Sequence, residues 1–339
     1  MNTISKLSEQ FQLFTEGKRR FVIIQADNPD GDSLASSLAL EEILCELGKE
    51  VELYCGVEIP SYLRYMSGWD RVSSELPRDF DGSIIVDTSA ISLLETLVKN
   101  DDLKWLKLKP AIYIDHHQTE GTIDFAEGII DSTAVSTGQI IFKIASHLQY
   151  SLTLEANEFI GYSVLSDSLG LSSEAVDSSV FRLMAEIVDN GVSVAKLDDA
   201  RRSLSKKSKR IVEYKGKLLT RIEFFDDPRI ALITIPWAEI EQYSHEYNPS
   251  MLVIDEMRMI EGVQVAIAFK TYPDGKITAK IRANYGYKIA AKLAEQFGGG
   301  GHPYAAGFKI TEKTDLSSVK SKCLEVASRL LDELSSNDK

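Results

Sequence analysis

The chain has 339 residues, 44% hydrophobic and 26% charged, with a formal net charge of −13. That length accommodates two domains, each with its own core. The acidic balance, with no basic run longer than Lys206-Lys207-Ser208-Lys209-Arg210, excludes a protein whose affinity rests on many phosphate contacts along duplex nucleic acid.

A small phosphorylated ligand stays open, because bound cations reverse the local charge of a carboxylate-rich cleft. Cys45, Cys55 and Cys323 are far apart and lack zinc-ligand spacing, which argues against a disulfide framework and for a reducing compartment. Residues 1–18 are polar and amphipathic without a signal-peptide core. No apolar stretch reaches the length of a bilayer span. A cytoplasmic protein with no membrane partner is the expectation.

In chain order, residues 21–24 form an apolar run that predicts a buried strand, followed by Asn28-Pro29-Asp30-Gly31-Asp32. Helical spacing of Leu34, Leu38, Leu44 and Leu47 predicts a helix over 33–47, stopped by Gly48. Residues 51–55 read as the next strand. Residues 83–86 read as a strand ahead of Asp87-Thr88, and 111–114 as one ahead of Asp115-His116-His117, with a connector over 103–110. A helix over 139–148 follows. Residues 162–165 read as a fourth strand, ahead of Asp167, and 181–190 as a helix ending at Gly191. This βαβα order predicts an α/β domain over 1–192 with a mostly parallel sheet flanked by helices.

Residues 193–217 are helical in pattern and highly charged, and predict a linker. From 218 to 335 the pattern predicts a smaller α+β domain. Its strands fall over 221–225, 230–235, 251–257, 262–271 and 277–283, and Pro273-Asp274-Gly275 forms a hairpin turn between the last two. A helix over 289–297, a glycine run and a closing helix over 319–334 complete it, ahead of a frayed tail at 335–339.

Ligands in open α/β sheets gather outside the carboxyl ends of strands. Four carboxylate-bearing strand ends, one carrying two histidines, therefore converge on one crevice, and so much negative charge requires cations. Gly31 is expected to let the backbone bend between Asp30 and Asp32. Carboxylate together with imidazole suits Mn²⁺, Zn²⁺ or Fe²⁺ better than Mg²⁺ alone. A pair of divalent ions roughly 3.5–4 Å apart activates water and clamps an in-line phosphoryl displacement. The second motif is Gly298-Gly299-Gly300-Gly301-His302-Pro303-Tyr304-Ala305-Ala306-Gly307. Four glycines after a helix let backbone N–H groups approach an anion, against the plainer alternative of a flexible loop. Arg282 offers a guanidinium fork.

Together, Asp30-x-Asp32, Asp115-His116-His117 and the Gly-Gly-Gly-His-x-x-Ala-Ala-Gly run of 299–307 resemble the DHH phosphoesterase superfamily. The second region resembles the DHH-associated C-terminal domain, and the whole is similar to the small nanoRNase/pAp-phosphatase branch. Residues 131–138 are also similar to a family segment near the active site. The resemblance implies that Asp30 and Asp87 hold one metal, while Asp32, Asp87, His116 and Asp167 hold the other. His117 would face the scissile phosphate, with Asp115 in support. Gly299, Gly300, Gly301, His302 and Arg282 would bind the far end of the nucleotide.

It also implies two Mn²⁺ ions, hydroxide attack activated by both, and short oligoribonucleotides or 3′-phosphoadenosine 5′-phosphate (pAp) as substrates. The two motif sets lie on different domains and must meet around one substrate, so opening and closing between the domains is expected, while a homodimer follows from the resemblance alone. The alternatives are a phosphodiesterase of cyclic or linear dinucleotides (c-di-AMP, pApA) and a weakened nucleotide-binding regulatory protein. Two departures stand out. Ala26 occupies a position where the family has a metal-binding histidine, a place that Asp27 or a water would have to fill. The segment Asp167-Ser168-Leu169-Gly170-Leu171 lacks the family's usual Thr-Gly, aromatic and arginine.

Overall fold

The computed structural model describes residues 3–117, 121–203 and 206–337. The chain divides into two compact units, Met1–Lys206 and Lys207–Lys339.

Unit 1 starts with helix α1 (Thr3–Thr15) and strand β1 (Arg20–Gln25), then α2 (Gly31–Glu46), β2 (Glu50–Cys55), β3 (Val72–Ser73) and β4 (Gly82–Val86). Short helices α3 (Glu95–Lys99) and α4 (Leu103–Leu106) lead to β5 (Ala111–Asp115) and β6 (Glu127–Ile130). Helices α5 (Thr137–His147), α6 (Leu154–Asp167), α7 (Ser178–Asp189) and α8 (Val194–Ser203) complete the unit. The strands form one parallel sheet in the order β3-β2-β1-β4-β5-β6. Strand order reverses between β1 and β4, which makes their carboxyl ends the place where an open α/β sheet binds ligand.

Alternation along the strands supplies two cores. Ile23, Leu53, Ile84 and Ile112 face α1, α2 and α5. Val22, Ile24, Tyr54 and Ile85 face Leu94, Leu97 and Leu106 on the other side. This is the helix-flanked parallel sheet the pattern predicts.

One element departs from the sequence reading. Residues 162–165 are the last turn of α6, not a strand. Thr153 caps that helix through Ala156 N at 3.0 Å. It is buried on nearly every side, including Phe159, Ile160, Tyr162, Val164 and Leu165. A helix without a polar face shows no 3.6-residue stripe, so its apolar end mimics a strand.

Unit 2 contains α9 (Lys209–Leu219), β7 (Glu223–Phe224), β8 (Ile230–Ile235), α10 (Trp237–Tyr243), α11 (Ile254–Arg258), β9 (Val265–Thr271) and β10 (Ile277–Ala283). It ends with α12 (Ala290–Glu295), β11 (Gly300–His302), β12 (Ala305–Ile310) and α13 (Leu316–Asn337). Its mixed sheet runs β11-β12-β10-β9-β8-β7, with β8 parallel to β9 and the other pairs antiparallel.

The apolar stretch 251–257 is a second departure. It is a 3₁₀ turn, Pro249–Leu252, running into α11. Asn248 caps it through Ser250 N at 3.3 Å, and Pro249 starts it. Burial of Leu252, Val253, Ile254 and Met257 explains the apolar run without a strand. Residues 204–205 of the expected linker and 338–339 of the expected frayed tail lie outside the described residues.

Candidate functional site

The carboxyl ends of β1, β4 and β5 and the ends of α2, α5 and α6 bring the acidic residues together. Asp32 sits in the first turn of α2 and is wholly buried. Its carboxylate accepts hydrogen bonds from Ser163 Oγ (2.6 Å), Ser36 Oγ (2.8 Å) and Thr137 N (2.8 Å). Asp87 follows β4 with φ of 62°, in the left-handed region that a non-glycine residue occupies only when its surroundings enforce it. Its N–H bonds Ile114 O at 2.9 Å, and its Oδ1 accepts from Thr137 Oγ1 at 3.1 Å. Asp167 ends α6.

His116 lies at the centre. Its Nδ1 is 3.3 Å from Ala134 O. Its Nε2 is 3.3 Å from Asp167, 3.6 Å from Asp32 and 3.6 Å from Asp87. That nitrogen is buried and has no partner in hydrogen-bond geometry. A proton on it can serve one carboxylate, whereas a divalent cation could be held by the imidazole and these carboxylates together. Among the described residues, two groups have ligand atoms mutually within 4.8 Å: Asp32, His116 and Asp167, and Asp87, His116 and His117. The donor set therefore fits a two-metal centre of imidazole and carboxylate.

Electrostatics carries the same message. Burial, with the charges of Asp32, Asp30 and Asp167, pushes the Asp87 carboxyl well above the ordinary carboxylate range. Burial and Asp32 also raise Asp167, to about 6, against the pull of His116. Burial opposes charge on His116, but Asp167, Asp32 and Asp115 outweigh it and raise the ring to about 9. Anionic groups driven toward protonation around an imidazole driven toward charge make a cation-seeking cluster.

His117 is half exposed. Its Nδ1 is 2.7 Å from Asp115 Oδ1, and its N–H donates to the same oxygen at 3.2 Å. The Asp115 bond raises His117 against burial. For Asp115, burial raises the carboxyl, and the bonds from His117 and Ser89 reverse that into a net lowering.

Other predicted residues have different surroundings. Asp30 is outside both ligand groups. It caps α2, its Oδ1 accepting from Asp32 N and Ser33 N at 3.0 Å each. Asp27 is committed to α3, its Oδ2 accepting from Thr96 N at 2.7 Å, and it belongs to neither group. Ala26 is buried. Gly31 does not turn the chain, since its φ is not positive. It is required because a Cβ there would overlap Ser166 Oγ and lie 2.9 Å from Ser166 Cβ, holding α2 off α6.

Sequence reasoning missed Ser36, Thr137 and Ser163 as individual supports. Ser36 is one helical turn after Asp32, and Ser163 one turn before Asp167. That i, i+4 signal was usable only for a segment read as helix.

In unit 2 the glycine run is not a loop. Gly298 (φ 70°) ends the turn after α12, and Gly300–His302 form β11, hydrogen-bonded to Ala305–Gly307 of β12. A Cβ on Gly299 would overlap Gly307 O, and one on Gly301 would lie 2.7 Å from Ala305 O, whereas Gly300 opens onto free space. His302 is exposed and its Nδ1 accepts from Tyr304 N at 3.3 Å. Tyr285, 77% exposed, lies nearly parallel to Tyr304 with ring centroids 6.3 Å apart. The His302 and Tyr304 rings are 5.8 Å apart. Arg282 stands half buried on β10, opposite Ala305.

No helix among the described residues is long and apolar enough to cross a membrane. Residues 20–165 match the DHH family, N-terminal domain, and residues 240–333 match the DHHA1 domain. The chain is 25% identical to a bifunctional oligoribonuclease and PAP phosphatase NrnA of Thermus thermophilus over 301 residues, which are 88% of this chain and 86% of that protein. It is 21% identical to the Bacillus subtilis NrnA over 289 residues, 83% and 86% of the two chains. In fold it is similar to an exopolyphosphatase-related protein from Bacteroides fragilis, with a TM-score of 0.82, 20% identity, and 99% and 98% of the chains covered. With an acid–imidazole centre on the DHH-matching unit and a glycine–histidine hairpin on the DHHA1-matching one, the chain belongs to the DHH superfamily, as a metal-dependent phosphoesterase related to NrnA.

Proposed function

We propose that the chain hydrolyses phosphate esters of small nucleotides, releasing mononucleotides from short oligoribonucleotides and AMP from pAp, with Mn²⁺ as the working ion. The observation that carries the nucleotide reading is Tyr285, exposed and nearly parallel to Tyr304 beside His302. An exposed aromatic face offers a nucleobase roughly 1–3 kcal/mol of stacking, and an inorganic phosphate chain has no use for one. The oligoribonuclease and PAP phosphatase relatives in Thermus thermophilus and Bacillus subtilis support the same substrates.

In unit 1, Asp32, Asp87, His116 and Asp167 would hold one cation, with Asp87 and Asp30 toward the second. When bound, such a pair lowers the pKa of water and neutralises charge building on the phosphoryl oxygens. The protein's own share is positioning. Ser163, Ser36 and Thr137 lock the Asp32 carboxylate, and Thr137 also holds Asp87. Asp115 accepts from Nδ1 of His117 and fixes the ring, so that its Nε2 can hold a proton for the leaving oxygen. Gly299 to His302 and Arg282 would bind the nucleotide in unit 2. Imidazole among carboxylates favours Mn²⁺ over Mg²⁺.

The test is hydrolysis by the purified protein with Mn²⁺ of a 5′-phosphorylated RNA dinucleotide, a twenty-residue RNA, pAp and c-di-AMP, with Asp87→Ala as control. Mononucleotide from the dinucleotide and AMP from pAp, both lost in the control, are the expected results. Turnover confined to c-di-AMP, or none with metal bound, would overturn the reading.

A further inference from the structure

Strand β10 alternates: Ile277, Ala279, Ile281 and Ala283 pack into the core, so Thr278, Lys280 and Arg282 share the opposite face. Register places Lys280 opposite Ala268 on β9 and Gly307 on β12, and places Thr278 between Lys270 and Lys309. Four cationic side chains therefore share one face of the sheet in a protein of net charge −13.

Three of them are half buried, and their hydrogen-bond partners are neutral. Lys270 Nζ donates to Asn248 Oδ1 at 2.6 Å, Lys280 Nζ is 3.5 Å from Met251 Sδ, and Arg282 donates to Ile281 O at 3.0 Å. Among the described residues, no carboxylate lies within ion-pair distance of any of the three. Burial and then a basic neighbour lower the affinity of both lysines for their protons, Lys280 acting on Lys270 and Arg282 on Lys280. For Arg282, burial also comes first, and Asp255 and Arg258 act in opposite directions.

Like charges gathered on half-buried sheet are unfavourable unless an anion joins them. A hollow of about 490 Å³ lies there, lined by Lys270, Lys280 and Lys309 and floored by Gly299 and Gly307. The floor must be bare, because a Cβ on Gly307 would lie 2.7 Å from Ala279 O. Successive side chains on one strand face are about 6.5–7 Å apart, comparable with the step between phosphates of an extended single strand.

We infer that Lys280 and Lys270 continue from Arg282 as a track for the non-scissile phosphates of a short single-stranded oligonucleotide. The track makes these lysines determinants of substrate length, rewarding each phosphate beyond the first. This rests on the nucleotide reading above.

The experiment measures binding of 5′-phosphorylated RNA of two and five residues to the full chain by fluorescence anisotropy in EDTA. It compares wild type with Lys270→Gln, Lys280→Gln and the double variant. Mn²⁺-dependent hydrolysis of bis(p-nitrophenyl) phosphate, a small diester without further phosphates, monitors unit 1. We expect each single variant to weaken pentamer binding about tenfold and dinucleotide binding about twofold or less, with the small diester cleaved at the wild-type rate. In the double variant the slope of log affinity against log salt should flatten by about 1.4. Unchanged pentamer binding, or equal loss for both lengths, would overturn the track while leaving the nucleotide reading intact. A wild type that cleaves the small diester but binds neither RNA would instead sink the nucleotide reading, and the track with it.

Discussion

Ser163 on α6 donates a hydrogen bond of 2.6 Å to Oδ1 of Asp32 on α2, joining residues 131 positions apart in a fully buried contact. The same hydroxyl accepts from Gly138 N at 3.0 Å and lies 2.8 Å from Ser136 Oγ. One small side chain thereby ties the ends of three helices to the carboxylate that faces His116.

Ser163→Ala should accordingly act on metal binding more than on folding. The alanine fits the space, but Asp32 loses an orienting donor, and loss of such outer partners typically costs 10–100-fold in metal affinity. Mn²⁺ titration by calorimetry should show that loss. Thermal unfolding in EDTA should move by only a few degrees, on the order of 1–2 kcal/mol for a buried hydrogen bond. Unchanged affinity would mean that Thr137 and Ser36 suffice.

The glycine hairpin of unit 2 separates two kinds of glycine. Gly299→Val drives a side chain into the β12 backbone and should destabilise unit 2 by about 1–3 kcal/mol or more. A Cβ on Gly300 meets nothing within 4 Å, so Gly300→Val should leave the unit's melting temperature within a few degrees. The valine nevertheless projects from the face shared with Gly307 and Lys280, and nucleotide binding should fall at least tenfold with Mn²⁺ content intact. Loss of metal in Gly300→Val would contradict separate roles for the two units.

Acid should loosen unit 2 through Asp227. The Arg229 fork first, and then Ser328 of α13, hold its carboxyl down at about 2. The unfolded value is about 3.9. A depressed folded pKa gives stability that is full above the unfolded value and is lost as pH falls from about 4 through about 2. Asp227→Asn should remove on the order of 1 kcal/mol at neutral pH. It should also flatten the decline in melting temperature across that acid window. A variant with the wild-type acid slope would show that other carboxylates govern it.

Much of the centre was legible because the short apolar, β-branched runs ending in Asp87 and Asp115-His116-His117 are of strand length and alternate with helical segments, as buried parallel strands do. Asp167 was found by its motif but placed on the wrong element, because α6 is wrapped by protein and shows no polar stripe. That error hid Ser163, whose role exists only at helical spacing from Asp167. Asp27 looked like a substitute ligand beside Ala26, yet only tertiary structure reveals that Thr96 N claims it. The glycine run was visible but its conformation was not. Gly299 and Gly307 are small because two backbones pass close together, a fact that belongs to the pairing of β11, β12 and β10 rather than to any local stretch. The basic row was invisible for the same reason: Lys270 and Lys280 meet through strand register.

The most direct test of the account is Mn²⁺ binding by the full chain, followed by calorimetry and by electron paramagnetic resonance, in wild type and His116→Ala. His116 turns only its Nε2 toward the carboxylates and would sit on a single ion, while the Asp87 carboxylate would serve both, so two ions per wild-type chain are predicted, spin-coupled as neighbours. In His116→Ala, the ion held with Asp32 and Asp167 should weaken by at least a hundredfold and metal-dependent phosphoester hydrolysis should vanish. Two ions bound as tightly in His116→Ala as in wild type, or no Mn²⁺ bound by the folded wild-type chain, would contradict it.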